Sequence, residues 1–141
     1  MKPYSAARSG SYVFVRVHGL SNMKAAPILD AFLRTEIADG ATEVVVDLSE
    51  CSGMDSTFMG TLVGFGQNMA ERGGRLVVIN PGENNLRLLE TLGVTTVLPV
   101  LEACDPGTDR LVFEPLELEN AQSTVERMRM IARAHENLVR L

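Results

Sequence analysis

VVVDLSECSGMDSTFMGTLVGFG, residues 44–66, is the stretch that decides the fold of this chain. It begins with an apolar run rich in β-branched side chains, which predicts a buried strand. The chain is then expected to turn sharply at Ser52-Gly53. A helical apolar periodicity begins at Asp55-Ser56-Thr57, and short oxygen-bearing residues at that place are typical of a helix N-cap. The stretch therefore predicts a hydroxyl at the positive end of a helix, where a phosphate group would be favoured.

Strand and helix patterns alternate on both sides of this stretch. The predicted strands are a short edge strand around Tyr4 and segments 11–18, 44–48, 75–79 and 97–100, and the predicted helices are 24–38, 56–72 and 83–92. Asn22 is placed to cap the first helix. This alternation indicates an α/β fold, a small sandwich with a mixed, mostly parallel sheet of about four or five strands and helices packed on it. Right-handed crossovers would put loop 51–57 on one rim of the sheet, where open α/β sheets usually carry their sites.

Changes in composition divide the chain into three parts. Residues 1–103 are predicted to form one α/β domain, and residues 104–116, with their prolines and acidic residues, a linker or extended arm. Residues 117–141 are predicted to form an amphipathic C-terminal helix. Its stripe recurs at spacings of three and four, the pattern of a packed helix face, through Leu118, Ala121, Val125, Met128, Ala132, His135 and Val139, and Ile131, Leu138 and Leu141 widen it. Such a stripe serves equally for packing on the helix's own domain, for a homodimer, or for docking a partner.

Composition and charge argue against several classes of protein. The 141 residues are 45% hydrophobic and 22% charged, which is ordinary for a globular domain. A net charge of −5 without a basic cluster argues against nucleic-acid binding. No apolar run is long enough to span a membrane, and the N-terminus lacks the apolar core of a signal peptide, so a cytoplasmic location is predicted. Cys51 and Cys104 lack ligand spacing and are predicted to be buried free thiols.

The rest of the sequence offers little further chemistry. His18 and His135 have no carboxylate or cysteine companions at ligand spacing, so neither a metal site nor a catalytic residue is predicted. A second apolar stripe on the helix 56–72 consists of Phe58, Phe65 and Met69. Beside the hydroxyls, this stripe would suit a protein interface, unless neighbouring helices or the C-terminal arm cover it. Both alternatives remain open from the sequence.

Four sequence motifs follow one another between residues 44 and 94. They are VVVDLS at 44–49, CSGMDST at 51–57, GGRLVVIN at 73–80 and NNLRLLETLGV at 84–94. In this order and spacing, the chain resembles the STAS domain of bacterial anti-sigma-factor antagonists. The resemblance extends over about residues 10–103, and it makes residues 1–103 a STAS domain with an added C-terminal helix.

The resemblance implies a partner switch and not an enzyme. In this family the hydroxyl directly after the Asp is phosphorylated by an anti-sigma factor that is also a Ser/Thr kinase; Ser56 stands there, with Thr57 as second choice. The unphosphorylated protein binds that kinase and releases its sigma factor, and a cognate phosphatase resets the cycle. No bound cofactor is expected. The residues expected to contact the partner are Asn22, Asp55, Ser56, Thr57, Phe58 and Met59.

Two other classes of function compete with the switch. A STAS scaffold subunit of a larger signalling assembly would need no phosphate, and the C-terminal helix would be its assembly element. An enzyme or a nucleotide-binding module is the third class. A nucleotide titration would test its binding form.

Overall fold

The computed structural model describes residues 2–116 and 124–141, with side chains in the C-terminal helix from residue 128 onward. The strands are β1 (Tyr4–Ser9), β2 (Tyr12–Ser21), β3 (Glu43–Met54), β4 (Arg75–Ile79), β5 (Val100–Leu101) and β6 (Glu114–Pro115). The helices are α1 (Ala26–Ala38), α2 (Ser56–Glu71), α3 (Gly82–Thr91) and α4 (Thr124–Val139), with a 3-10 turn at Val94–Thr96. None of the helices within these ranges is long and apolar enough to cross a bilayer.

The six strands form one mixed sheet in the order β5-β4-β3-β2-β1-β6. Strands β2, β3, β4 and β5 pair in parallel, whereas β1 pairs antiparallel with both β2 and β6. The predicted α/β fold with a mostly parallel sheet is confirmed, with more strands than expected. The additional strand, β6, is two residues long and includes a proline, so no alternation in the sequence marks it. Strands β2 and β3 end on the same rim and lead there into α1 and α2.

Strand β3 is longer than predicted and continues to Met54. The predicted turn at Ser52-Gly53 is therefore wrong. Gly19 of β2 pairs with Cys51, and the next residue, Leu20, pairs with Gly53, so β3 has one extra residue at this point. Such an extra residue is a β-bulge, and a small residue followed by glycine favours a bulge as well as a turn.

Helix α2 is the central helix of the fold. Ten of its 16 residues are buried, because the sheet covers one side of it while α1 and α4 pack on others. A helix that is apolar on nearly all sides is typical of such a buried position. The stripe of Phe58, Phe65 and Met69 is buried as well, so neighbouring elements cover it and it does not form an exposed patch.

Residues 104–116 run back along the sheet. On β2, Arg16 alternates with the buried valines and so faces away from the helices. Its guanidinium stacks 3.7 Å above the ring centre of Phe113 and donates a hydrogen bond to Thr108 at 3.2 Å. The side chain of Asn80 makes two hydrogen bonds of 2.8 Å to the backbone of Cys104. These contacts attach the segment to the face of the sheet opposite the helices.

Helix α4 packs against α2 at a point where α2 has no side chain. A Cβ atom placed on Gly60 would overlap the backbone carbonyl of Ala134, so the close approach of the two helices requires glycine. Ala134 and Met130 are buried there, and the side-chain amide of Asn137 donates to the carbonyl of Gly60 at 3.2 Å.

The face that α4 buries overlaps only in part with the stripe that the sequence predicted, since Leu138 packs on the core and Ile131 is half-buried. Met128 and Val139, both on the predicted stripe, are 64% and 85% exposed. The buried residues are Met130 and Ala134, offset by two positions. The predicted positions Leu118 and Ala121, and the side chain of Val125, lie outside the described residues.

Candidate functional site

The candidate site is the N-terminus of α2, where β3 ends at the rim of the sheet. Asp55 has an extended backbone, and its Oδ1 accepts a hydrogen bond from the N–H of Phe58 at 3.0 Å, which confirms the predicted N-cap. The second oxygen, Oδ2, accepts from the N–H of Met23 at 2.8 Å. The N–H of Asp55 donates to the carbonyl of Ser21 at 3.1 Å. Asp55 thus both caps α2 and fixes the loop between β2 and α1.

Asn22 lies in that same loop. Its Oδ1 accepts hydrogen bonds from the N–H groups of Lys24 and Ala25, at 3.0 and 3.3 Å, in the turn that leads into α1. Its backbone carbonyl accepts from the N–H groups of Ala25 and Ala26. The structure therefore brings Asn22 and Asp55 to one rim, as their positions after neighbouring parallel strands predict.

The two hydroxyls of the site differ in accessibility. Ser56, the first residue of α2, is exposed, whereas Thr57 is only 1% exposed. The first N–H groups of a helix have no partner within the helix, and the helix dipole is positive there. An anionic group attached to Ser56 would therefore lie in a favourable field. The same group on Thr57 would require the helix end to move.

Phe58 and Met59 do not lie on the surface of the site. Phe58 is 0% exposed and stacks on Tyr4 at 6.4 Å between ring centres, and Met59 is 2% exposed. The prediction that their side chains contact a partner is wrong for this structure. The first turn of α2 points these two residues into the core, because α2 is enclosed on nearly all sides.

His135 of α4 is part of the site although the sequence did not indicate it. Its Nε2 lies 3.4 Å from the hydroxyl oxygen of Ser56 and 3.3 Å from that of Thr57. The signal that could have located α4 here is the pair Gly60 and Gly64, whose spacing permits another helix to approach closely. The contact itself depends on how α4 docks, which local patterns do not reveal.

A serine beside a histidine raises the possibility of nucleophilic catalysis. In a catalytic triad a third group, usually a carboxylate, orients the histidine. Within the described ranges no carboxylate contacts His135, whose hydrogen-bond partners there are Ser56 and Thr57. Residues 2–116 and 128–141 also contain no group of three His, Cys, Asp or Glu side chains suited to a metal ion. The geometry suits a modifiable hydroxyl better than a triad.

Two titratable groups lie beneath the site. Tyr4 is fully buried and shares a hydrogen bond of 3.1 Å with the hydroxyl of Ser21, and burial raises the pKa of Tyr4. Burial also raises the pKa of the Cys51 thiol, which donates to the carbonyl of Gly53 at 3.2 Å. Both groups are therefore protonated at neutral pH.

A family model described as "Mlab, STAS domain" matches residues 5–102. The chain belongs to the STAS domain family. The matched range runs from β1 through β5 and includes the whole candidate site except His135, which lies beyond the matched range on α4. No curated protein sequence matches this STAS chain.

Solved structures share the fold of this STAS domain. SpoIIAA, an anti-sigma factor antagonist, in its unphosphorylated form has a TM-score of 0.65 and 21% identity, over 72% of this chain and 89% of SpoIIAA. Bacillus SpoIIAA in its phosphorylated form has a TM-score of 0.59 and 21% identity, over 72% of this chain and 92% of that one. A candidate anti-sigma factor antagonist from Thermotoga maritima has a TM-score of 0.63 and 16% identity, over 94% of this chain and 95% of that one.

Proposed function

We propose that this STAS domain is an anti-sigma factor antagonist that acts as a phosphorylation-controlled binding switch. Its unphosphorylated form binds an anti-sigma factor that is also a Ser/Thr kinase, and phosphorylation of Ser56 ends that binding. A cognate phosphatase restores the binding form. The observation that carries the proposal is the exposed hydroxyl of Ser56 on the first turn of α2, directly after the capping Asp55. The fold shared with phosphorylated SpoIIAA supports it.

The proposed surface consists of Asn22, Asp55, Ser56 and the exposed edge of the β2–α1 loop at Met23. Asn22 and Asp55 are held in place by their hydrogen bonds to the loop backbone, so the surface needs little ordering when a partner binds. Thr57, the second choice of phosphoacceptor, is buried and lies beneath this surface.

Electrostatics explain how phosphate would switch binding. A phosphoserine adds about −1.5 to −2 charges at neutral pH. At the N-terminus of α2 the fold tolerates this charge, but it stands next to the carboxylate of Asp55 in the middle of the docking surface. Burying an uncompensated charge at an interface costs several kcal/mol. Since about 1.4 kcal/mol is tenfold in affinity, a loss of at least about a hundredfold is expected.

Intact-mass spectrometry of the protein from its native cells, with peptide mapping over residues 50–72, tests the proposal. We expect one phosphate on Ser56, absent from Ser56→Ala and retained in the matched control Ser52→Ala, whose serine is also exposed. Ser56→Asp should bind the kinase at least about a hundredfold more weakly than Ser56→Ala. Absence of phosphate on Ser56 under growth, stress and stationary conditions would contradict the switch.

One observation favours a second candidate, a scaffold that is never phosphorylated. Helix α4 packs beside the site, and His135 already contacts both hydroxyls, so these hydroxyls have a structural role without phosphate. A scaffold predicts that Ser56→Ala leaves assembly unchanged and that truncation after residue 116, which removes α4, abolishes it. The switch predicts instead that Ser56→Ala changes binding, because the variant can no longer lose its partner on phosphorylation.

A further inference from the structure

A cleft of about 490 Å³ lies between α1, α2 and α4. Volumes of about 300–1,000 Å³ are typical of small-molecule sites in proteins. Ser56 and Thr57 do not line this cleft, so it is separate from the proposed switch. Its floor is formed by α2 and its two walls by α1 and α4.

Four arginines line the cleft, although the chain as a whole has a net charge of −5. They are Arg34 in α1, Arg72 at the end of α2, Arg133 in α4 and Arg140 directly after α4. A stable protein gains nothing from bringing like charges together unless something compensates them. Arginine forks bind phosphate and carboxylate groups with two parallel hydrogen bonds, which makes an oxyanion the natural compensation.

The carboxylates of the protein supply little of that compensation. Arg34 pairs with Asp30 at 2.9 Å, and Glu136 is the other acidic residue that lines the cleft. In the part of the chain that the structure describes, no carboxylate lies within ion-pair distance of Arg72, Arg133 or Arg140. Three guanidinium groups thus remain without an acidic partner among those residues.

A simpler explanation covers part of the cluster. Cations are favoured at the C-terminal ends of helices, and Arg72 and Arg140 both occupy such positions. This effect accounts for each of them on its own helix. It does not account for Arg133, which lies within α4. Nor does it explain why arginines from three helices, Arg34 of α1 among them, line the same cleft.

The walls of the cleft are partly apolar. Ile37, Phe65 and Met130 line it beside the arginines, and the guanidinium of Arg34 lies 5.8 Å from the ring centre of Phe65. A ligand with an apolar body would contact these side chains while its charged groups face the arginines. The volume of the cleft fits one small molecule.

We propose that the cleft binds a small organic anion with two or more phosphate or carboxylate groups on an apolar body. Because Arg34 and Arg72 belong to α1 and α2, and Arg133 and Arg140 to α4 and its end, a bound polyanion would bridge α4 to the rest of the domain. Occupation of the cleft therefore slows amide hydrogen exchange in α4, since a ligand that binds only the docked state stabilises it.

Calorimetric titration of the full chain tests this site with four probes at matched ionic strength: inorganic phosphate, phenyl phosphate, pyrophosphate and citrate. We expect saturable binding with one site, tighter for phenyl phosphate than for phosphate because of the apolar walls. Pyrophosphate and citrate distinguish a phosphate ligand from a carboxylate ligand. Arg133→Gln and Arg140→Gln should each weaken binding at least about tenfold, which corresponds to about 1.4 kcal/mol.

The matched control is Arg129→Gln, which removes an exposed arginine from the same helix but outside the cleft. It should leave the affinity unchanged. An equal loss in Arg129→Gln would show general charge attraction and refute the site. Absence of saturable binding for all four probes up to about 10 mM would also refute it, since millimolar affinity is then detectable. Polyglutamate serves as a fifth probe, and its binding in the absence of binding by the four small anions would refute the proposal and assign the cleft to an acidic protein segment.

Discussion

Asp55 connects two segments of the chain with one side chain, because its two oxygens accept from the N–H groups of Phe58 and Met23. Replacing an N-cap residue by alanine costs about 0.5–2 kcal/mol. We expect Asp55→Ala to lower the free energy of unfolding by about 2 kcal/mol, at the upper end, because the loop N–H is also left without its acceptor. Urea unfolding monitored by circular dichroism measures this.

The control for this change is Asp39→Ala, an exposed carboxylate at the C-terminal end of α1. A negative charge is unfavourable there, so its removal should leave stability within about 0.5 kcal/mol or raise it slightly. Equal effects of the two substitutions would show that the two hydrogen bonds of Asp55 contribute little to stability.

Tyr4 should make stability depend on pH in the alkaline range. Burial raises its pKa above the ordinary tyrosine value near 10, so above about pH 10 the unfolded chain loses a proton that the native state keeps. Its contribution to the free energy of unfolding is therefore complete below that pH and falls as the pH rises. At about pH 8, Tyr4→Phe should be less stable by about 1 kcal/mol, since Ser21 loses its partner. This deficit should shrink above about pH 10.

Tyr12→Phe provides the optical test, because Tyr12 is the exposed tyrosine and the chain has two. In that variant all tyrosinate absorbance comes from Tyr4. Absorbance should rise only when alkali unfolds the protein, together with the change in circular dichroism. Ionisation that clearly precedes unfolding would contradict the burial of Tyr4.

At the scale of single residues, the sequence predicts the cap of α2 but not that of α1, whose N-cap is Ala25 and not the predicted Asn22, and it predicts surface exposure poorly. Asp55 as cap and Ser56 as an exposed hydroxyl follow from local chemistry, since a cap is satisfied within a few residues. The exposure of Phe58 and Met59 does not, because it depends on what packs around the first turn of α2. His135 could not be placed at all without knowing where α4 docks.

At the scale of elements, Gly60 determines whether α4 can lie against α2. Gly60→Ala would place a methyl group on the backbone of Ala134, which cannot turn aside, so α4 must move away. Within α2 itself alanine favours the helix by up to about 1 kcal/mol. We expect α4 to lose protection in amide hydrogen exchange while α2 keeps it.

Gly64→Ala is the matched control for that variant. A Cβ at residue 64 meets the side-chain amide of Asn137, which can rotate away at the loss of one hydrogen bond, about 1 kcal/mol. Protection of α4 should therefore fall much less than in Gly60→Ala. Gly60→Ala should also separate Ser56 from His135. If the proposed switch is correct, the rate at which Ser56 is phosphorylated then changes as well. Equal protection of α4 in both variants would contradict the close docking of α4 on Gly60.

The regular elements followed from periodicity, and the irregular ones did not. The helices and the inner strands have strong apolar patterns, so their existence and order were predicted. The bulge at Ser52 was mistaken for a turn, because the same residue types favour both. The buried face of α4 was predicted only in part, because an amphipathic helix can offer two adjacent stripes, and the close approach of α4 to Gly60 buries Met130 and Ala134.

At the scale of the whole molecule, the family match ends at residue 102 but the packed sheet does not. Residues 104–116 return to it: Cys104 is bonded twice to Asn80, Phe113 stacks on Arg16, and the N–H of Leu116 donates to the carbonyl of Tyr4 at 3.0 Å. No apolar alternation marks this segment, so its attachment could not be predicted from the sequence. The physical domain therefore extends beyond the matched one.

Two truncated chains should consequently differ in stability although both contain the whole family match. A chain ending at residue 103 loses at least four hydrogen bonds and one cation–π contact that a chain ending at 116 retains. At about 1 kcal/mol each, the shorter chain should be less stable by on the order of 4–5 kcal/mol. Because α4 is missing from both, its docking does not enter the comparison. Equal urea midpoints for the two chains would show that residues 104–116 act only as a linker, and Asn80→Ala in the longer chain should reproduce part of the loss.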